Sequence, residues 1–476
     1  MKESNKYLIK NVAVLTVGNF LTKILSFFLI PLYTAALTTA EYGIYDLINT
    51  TITLMIPILT LNVMEGIFRY ALDKDVDKKD LIAIGIKYFI ISTAITGVLA
   101  AANELTGLIP VFKDKAIFFF LMFTADALLG ILTSIAKGFE KLQIIAVSGI
   151  VSCVVIISTN LLFLLVFKWG LPGYFISNIL GVSLQCAYIV LGLKLWRYVK
   201  NPFRKNTERN VLEKSVVKYS KPLIANSIGW WVNNAASRYI VTAFCGVAVN
   251  GLFSVAYKIP SFLNVFASIF NQAWNLSAVK DFDKEDSDGF FAKTYSSYNC
   301  AMLFVCSGLI FGDKILAKMF FANDFYQAWI YVPLLVIAVF FGAISGYIGG
   351  IFAAVKKSDI YATSTIIGAV VNIILNFALV HSLDAVGSAI ATVISYIVVW
   401  AIRYYELKKI MHIKINLKRD IFSYGILLVQ AVCMMTISNP IYLYGSEAFC
   451  ILLLAVLYRK EIVGCIELVL KKGKKA

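Results

Sequence analysis

The stretch "FLTKILSFFLIPLYTAALTTAEYGIYDLINTTITLMIPILTLNV", residues 20–63, sets two long apolar runs around one short polar turn. A helix needs about 20 apolar residues to cross the hydrocarbon of a bilayer, and each run comes close to that length. Thr38 and Glu41 stand in the turn at capping-box spacing, where hydroxyl and carboxylate satisfy free amides at the start of a second helix. No period-two alternation interrupts the runs, so the stretch reads as a helical hairpin in a membrane.

The rest of the chain agrees. Its 476 residues are 59% hydrophobic and 15% charged, with a mean hydropathy of +0.78; soluble domains carry about 25% charged residues. The class is therefore an all-α integral membrane protein. Fourteen spans are expected, at 11–36, 43–67, 81–102, 116–136, 144–167, 173–194, 219–244, 251–278, 294–312, 328–354, 360–381, 386–405, 421–438 and 441–458. The start "MKESNKYLIK" resembles the basic region of a signal peptide, but the apolar run after it is too long and contains Asn19 and Lys23, so it reads as the first span. Eight cysteines scattered through apolar segments form neither a disulfide framework nor a metal motif. His381 and His412 are too far apart in sequence for a ligand cluster. No metal or cofactor is expected.

A net charge of +16 does not point to nucleic acid, because the basic residues gather in short connections, where they set topology. Of the 44 Lys and Arg residues, only Lys113, Lys115, Lys168, Lys314 and Lys318 fall on one side, and four lie within spans away from their ends. The remainder mark the cytoplasmic side, so both termini are expected in the cytoplasm, with a bacterial plasma membrane as the expected location. The longest connection, "WRYVKNPFRKNTERNVLEKSVVKY" (195–218), divides six spans from six. An internal repeat supports the division: "KLQIIAVSGIVSCVVIISTN" (141–160) aligns without a gap on "KSDIYATSTIIGAVVNIILN" (357–376), with Asn160 opposite Asn376. The loops "LDKDVDKKD" (72–80) and "KDFDKEDSD" (280–288) also correspond. The expected organisation is two parallel six-helix lobes plus two further helices: residues 1–200, a basic cytoplasmic linker 201–218, residues 219–410, and residues 411–476 ending in a basic tail. Transporters with paired repeats bind substrate between them and expose it to alternate sides.

Charges inside spans are costly, about 2.5 to 3.5 kcal/mol at a helix centre, so they mark cavities or partners. Lys23, Lys87, Asp126, Arg238 and Lys258 lie within spans, with Asp46, Glu65 and Arg69 toward the ends of the second. Lys23, Arg238 and Lys258 suggest a cationic cavity. Lys87 is close enough to a helix start to snorkel, and Glu65 and Arg69 have the spacing of a helical pair. Asp46 reads either as a functional intramembrane acid or as a satisfied polar contact. Asp126 and Glu65 are the acids an ion-coupled transporter would draw on. The DxD triplets at Asp73 and Asp281 lack any surrounding nucleotide-binding domain, and no P-loop or nucleophile motif appears, which disfavours an enzyme.

Four stretches, "IPLYTAALTTAEYGIYDL" (30–47), "GIFRYALDKD" (66–75), "YSKPLIANSIGWWVNNAASRYIVTAFCGVAVNGLFSVAYKIP" (219–260) and "KKSDIYATSTIIGAVVNIILNFALV" (356–380), resemble polysaccharide flippases of the multidrug/oligosaccharidyl-lipid/polysaccharide exporter superfamily. The resemblance implies movement of an undecaprenyl-diphosphate-linked oligosaccharide from the inner to the outer leaflet. Membrane lipids and other polysaccharide assembly proteins would be its partners. By matching position it implies that Lys23, Arg238 and Lys258 contact the diphosphate or acidic sugars; Asp46, as an intramembrane acid, is a further candidate for substrate binding. The last two spans would, as in related lipid II flippases, form a groove for the polyprenyl tail. One departure stands out: the family often places an acid before the arginine of span seven, and here that position is Ser237. The rival readings are a cation-coupled multidrug exporter of the same superfamily and, more distantly, a membrane polysaccharide polymerase, which would be expected to carry a larger outer loop.

Overall fold

The computed structural model describes residues 27–464, apart from 74, 199, 205–206, 281 and 356. Among the described residues it contains helices and no strand. The chain divides into two compact units, Met1–Ala235 and Ala236–Ala476.

The first unit holds α1 (Ile30–Ala36), α2 (Thr39–Leu59), α3 (Val63–Ala71), α4 (Lys78–Thr106), α5 (Ala116–Gly138), α6 (Leu142–Asn160), α7 (Gly170–Leu193) and most of α8 (Thr207–Cys245). The capping box forms as its spacing predicts: the Thr38 hydroxyl accepts from the Glu41 amide at 3.2 Å, and the Glu41 carboxylate accepts from the Thr38 amide at 2.8 Å. Its tyrosines are packing residues. Tyr33 stacks on Tyr42 at 4.9 Å, and Tyr45 meets the edge of Tyr174 at 4.5 Å.

The expected second span, 43–67, is broken into α2 and α3. Pro57 removes a hydrogen bond near the end of α2, and Leu61 and Asn62 then turn the chain with φ of 50° and 51°. This break lets the short α3 pack against its neighbours at close range. A Cβ on Gly66 would lie 2.5 Å from Ser220 Oγ, and one on Gly138 would lie 2.2 Å from Ala71 Cβ. Small residues at these crossings substitute backbone proximity for side-chain bulk. Ile67 of α3, Ile82 and Ile84 of α4, Ile131 and Ile135 of α5, Ile189 of α7 and Val216 of α8 fill the core around them. The expected linker, 201–218, is helical from Thr207 onward and continuous with span seven.

The second unit contains the end of α8, then α9 (Val247–Ala256), α10 (Ser261–Lys280), α11 (Phe290–Phe311), α12 (Asp313–Phe320), α13 (Val332–Ala354), α14 (Ser358–Ile410), α15 (Leu417–Thr436) and α16 (Pro440–Leu457). Helix α13 is apolar around its circumference and is buried among α10, α11, α14 and α15. Arg403 of α14, only 4% exposed, ties two elements together. It donates to the Ser345 carbonyl of α13 at 2.8 Å and to the hydroxyls of Ser364 and Thr365 at 2.9 Å each, and its guanidinium lies 4.0 Å from the Tyr361 ring centre. Helix α15 docks on α11 through buried polar bonds, among them Ser307 to Gln430 at 2.8 Å, and Gln430 in turn donates to Glu447 of α16 at 2.7 Å.

Among the described residues, eight helices are long and apolar enough to cross a membrane, or ten if α9 with α10 and α11 with α12 each make one bent span. The difference from the expected fourteen has physical sources. The first span, 11–36, lies mostly outside the described residues. Spans 360–381 and 386–405 appear as the single α14, broken at Asp384, where φ is 50° and ψ is −146°. Helix α8 carries Asn233, Asn234 and Arg238 within its expected span, and α15 starts with Lys418, Arg419 and Asp420, so neither is uniformly apolar over a full crossing.

Candidate functional site

Arg238 sits on α8 in the second unit, half-buried, with its guanidinium 5.7 Å from the ring centre of Tyr257. An aromatic face favours a cation held over it. Tyr257 immediately precedes Lys258, and both belong to the break between α9 and α10, which are bent by 46°. The expected straight span 251–278 is thus two helices. Pro260, which has no amide hydrogen, and the bond from Ser261 Oγ to the Lys258 carbonyl at 2.5 Å shape the corner. The structure therefore brings two of the expected cations, Arg238 and Lys258, to one corner of one unit. Lys23 lies outside the described residues.

Behind Arg238 runs a polar network that sequence reading missed. Ser237 donates to Asn372 Oδ1 at 3.2 Å, Asn376 donates to the same oxygen at 3.0 Å, and Ser388 donates to Asn376 Oδ1 at 2.6 Å. Asn372 also donates to Ser395 at 3.3 Å. All five side chains are buried. Buried polar groups are stable when they satisfy one another, and this set does so with amides and hydroxyls alone. At the position where an acid was expected from the resemblance, Ser237 is one neutral member of that set. The available signal was the i, i+4 spacing of Asn372 and Asn376. Asn160, the repeat partner of Asn376, is buried as well, where α6 passes into a π-helical turn, Leu161–Val166.

The acids occupy the first unit and do not form one cluster. Asp46 is buried on α2, 8% exposed. Asp126 of α5 borders a cavity of about 60 Å³ with Tyr45 and Asn49 of α2 and Asn178 of α7. Tyr45 donates to Asn178 Oδ1 at 3.3 Å, and Asn178 to the Tyr174 carbonyl at 2.8 Å. Glu65 is exposed on α3 beyond the break. Arg69, expected to pair with Glu65, instead bonds Asp73 at 2.7 Å. Lys87, expected to snorkel, is held by Glu213 of α8 at 2.8 Å.

Below these helices the charged connection is itself ordered by ion pairs. Lys200 bridges Asp77 at 2.7 Å and Asp80 at 2.9 Å, and Arg209 reaches Asp80 at 3.0 Å. The Lys200 ammonium holds the Asp77 carboxyl below the usual carboxylate range. Among the described residues no group of three or more His, Cys, Asp or Glu side chains has the geometry of a metal site.

A family model described as polysaccharide biosynthesis protein matches residues 8–275, a segment that contains α1 to α9, Arg238 and Lys258. The chain belongs to the polysaccharide biosynthesis protein family. A curated relative, the probable low-salt glycan biosynthesis flippase Agl15 of Haloferax volcanii, is 25% identical over 230 residues, 46% of each chain. The chain thus spans just under half the length of that relative. The fold of this family member is that of the solved lipid II flippase MurJ in its inward closed conformation, with a TM-score of 0.70 at 14% identity over 95% of this chain and 99% of that one. It is similar also to an inward-facing multidrug resistance MATE family transporter of the MOP superfamily, with a TM-score of 0.64 at 12% identity over 82% and 95% of the two chains. The family member is therefore a multi-pass membrane protein with a transporter fold, as the apolar runs predict.

Proposed function

We propose that this protein is a flippase that moves undecaprenyl-diphosphate-linked oligosaccharide units from the inner to the outer leaflet of a bacterial plasma membrane, with both termini cytoplasmic. The observation that carries the reading is Arg238: a permanent cation, half-buried in a membrane helix and set over Tyr257 beside Lys258. A fixed positive charge in a low-dielectric setting favours an anionic substrate, and a diphosphate offers the oxygens a guanidinium grips best. The neutral Ser237 network next to it supports a site that changes occupancy without titrating. In this reading Lys23, Arg238 and Lys258 hold the diphosphate or acidic sugars, and Asp46 is a further substrate-binding residue. The two six-helix lobes alternate in exposing the substrate, and α15 and α16 guide the polyprenyl tail.

A second reading, a cation-coupled exporter, is favoured by one observation, the small cavity at Asp126 lined by amide and phenol oxygens. Proteoliposomes that hold the purified protein and a fluorescent polyprenyl-diphosphate oligosaccharide separate the two. Flipping by wild type with loss in Arg238→Ala is the expected result. Absence of flipping, together with dye export that follows an ion gradient and is lost in Asp126→Asn, would replace the flippase with the exporter.

A further inference from the structure

A second basic site lies in the first unit, away from Arg238. Lys87 and Tyr88 of α4 and Glu213, Lys214, Lys218 and Lys221 of α8 line an open pocket of about 550 Å³. Its one carboxylate is already engaged. Glu213 accepts from Lys87 at 2.8 Å and from the Tyr88 hydroxyl at 3.0 Å. Lys214, Lys218 and Lys221 then remain as surplus positive charge, spaced i, i+4, i+7 on one face of α8 and exposed. Among the described residues none of the three forms an ion pair.

Depth within the membrane says what such a pocket meets. No charged residue lies between Lys87 and Glu104 on α4, a rise of about 25 Å at 1.5 Å per residue, close to the hydrocarbon thickness of a bilayer. Lys87 therefore stands at headgroup level. From it, Ile90, Ala94, Val98 and Leu105 recur at helical spacing and are exposed, Val98 to 70% and Leu105 to 88%. A cluster of cations above a continuous apolar face matches a molecule with an anionic head and hydrocarbon chains. A free phosphate or nucleotide would use the cations and leave the apolar face idle.

We propose that this pocket binds the phosphodiester headgroup of an anionic membrane phospholipid, whose acyl chains lie along the outer face of α4. The lysines act as separate point charges toward the phosphate. The Lys87–Glu213 pair fixes α4 against α8 and so fixes the width of the pocket. The proposal is independent of which substrate the protein transports.

The test uses the full chain in detergent and native mass spectrometry, with phosphatidylglycerol and phosphatidylcholine titrated separately. Wild type is expected to retain phosphatidylglycerol in preference to phosphatidylcholine. Each neutralised lysine weakens that binding by roughly fivefold, and K214Q/K218Q/K221Q by about a hundredfold. The single variant Lys218→Gln gives the same reading should the triple variant be unstable. A control, K284Q/K414Q/K418Q, removes three exposed lysines elsewhere and should keep wild-type binding. Equal loss in the control, unchanged binding in the pocket variants, or displacement of the lipid by millimolar inorganic phosphate would each overturn the assignment to a phospholipid.

Discussion

Replacing Arg403 with alanine separates the arginine that builds the protein from the arginine that serves it. Arg403 is 4% exposed and makes three hydrogen bonds of 2.8 to 2.9 Å, while its face covers Tyr361. Hydrogen bonds to a charged group contribute about 1.5–3 kcal/mol each, and the cation over the ring adds about 1–2 kcal/mol. Burial of the guanidinium opposes this sum by several kcal/mol, so the net cost of removing a buried, bonded charge is about 3–5 kcal/mol. Ser364 and Thr365 keep their own bonds to the Tyr361 carbonyl, but the Ser345 carbonyl loses the arginine. At about 2–4 °C per kcal/mol for a unit of this size, the thermal midpoint should fall by about 10 °C. Arg403→Lys, which restores one donor without the planar fork, should fall about half as far. Fluorescence-detected size exclusion after heating measures both. Protein that survives at low temperature should still flip lipid, because Arg403 touches no proposed substrate. A midpoint within about 2 °C of wild type for the alanine variant would refute the argument that these bonds tie α13 to α14.

Three further outcomes are expected. A double-mutant cycle on Lys87→Gln and Glu213→Gln should show a coupling of about 1–2 kcal/mol in thermal unfolding, whereas additivity would mean the pair is only adjacent. Because Lys200 lowers the folded pKa of Asp77 beneath its unfolded value of 3.8, the stability it lends is complete above that value and is lost as pH falls through the lower folded one. The midpoint difference between wild type and Asp77→Asn should therefore hold steady from neutral pH to about pH 5 and shrink below 3.8; a difference that ignores pH would remove the ion pair from the explanation. Gly387→Ala places a Cβ 2.5 Å from the Leu379 carbonyl oxygen, a clash with backbone that side-chain rotation cannot relieve. It should cost about 1–3 kcal/mol in stability and lower the yield of monodisperse protein, while normal yield and midpoint would contradict the close packing across the Asp384 break.

Much of the fold is legible in residues that act locally. The Thr38–Glu41 box needs only a three-residue spacing, so it forms as read. The end of one span and start of the next around Asp384 are also legible, because apolar runs stop there. The break between α2 and α3 was less so: Pro57 signals a weakened helix, but the turn at Leu61 and Asn62 depends on how α3 packs against Gly138 and Ser220. Of the candidate site, Arg238 and Lys258 stood out as charges in oily runs, and the structure joins them through Tyr257. The Ser237, Asn372 and Asn376 network was harder to read, because neutral polar residues cost little in an apolar run and only the i, i+4 spacing of the two asparagines marks it.

Sequence by itself determined that this protein is a bundle of membrane helices, because hydrocarbon thickness and the need to satisfy every backbone amide act on each segment independently. Tertiary structure decided which charges are partners. Lys87 went to Glu213 and Arg69 to Asp73, and Arg403 turned inward to bind α13. Ion pairs and buried hydrogen bonds depend on distances of about 3 Å between helices far apart in sequence, and that information exists only once the helices have packed.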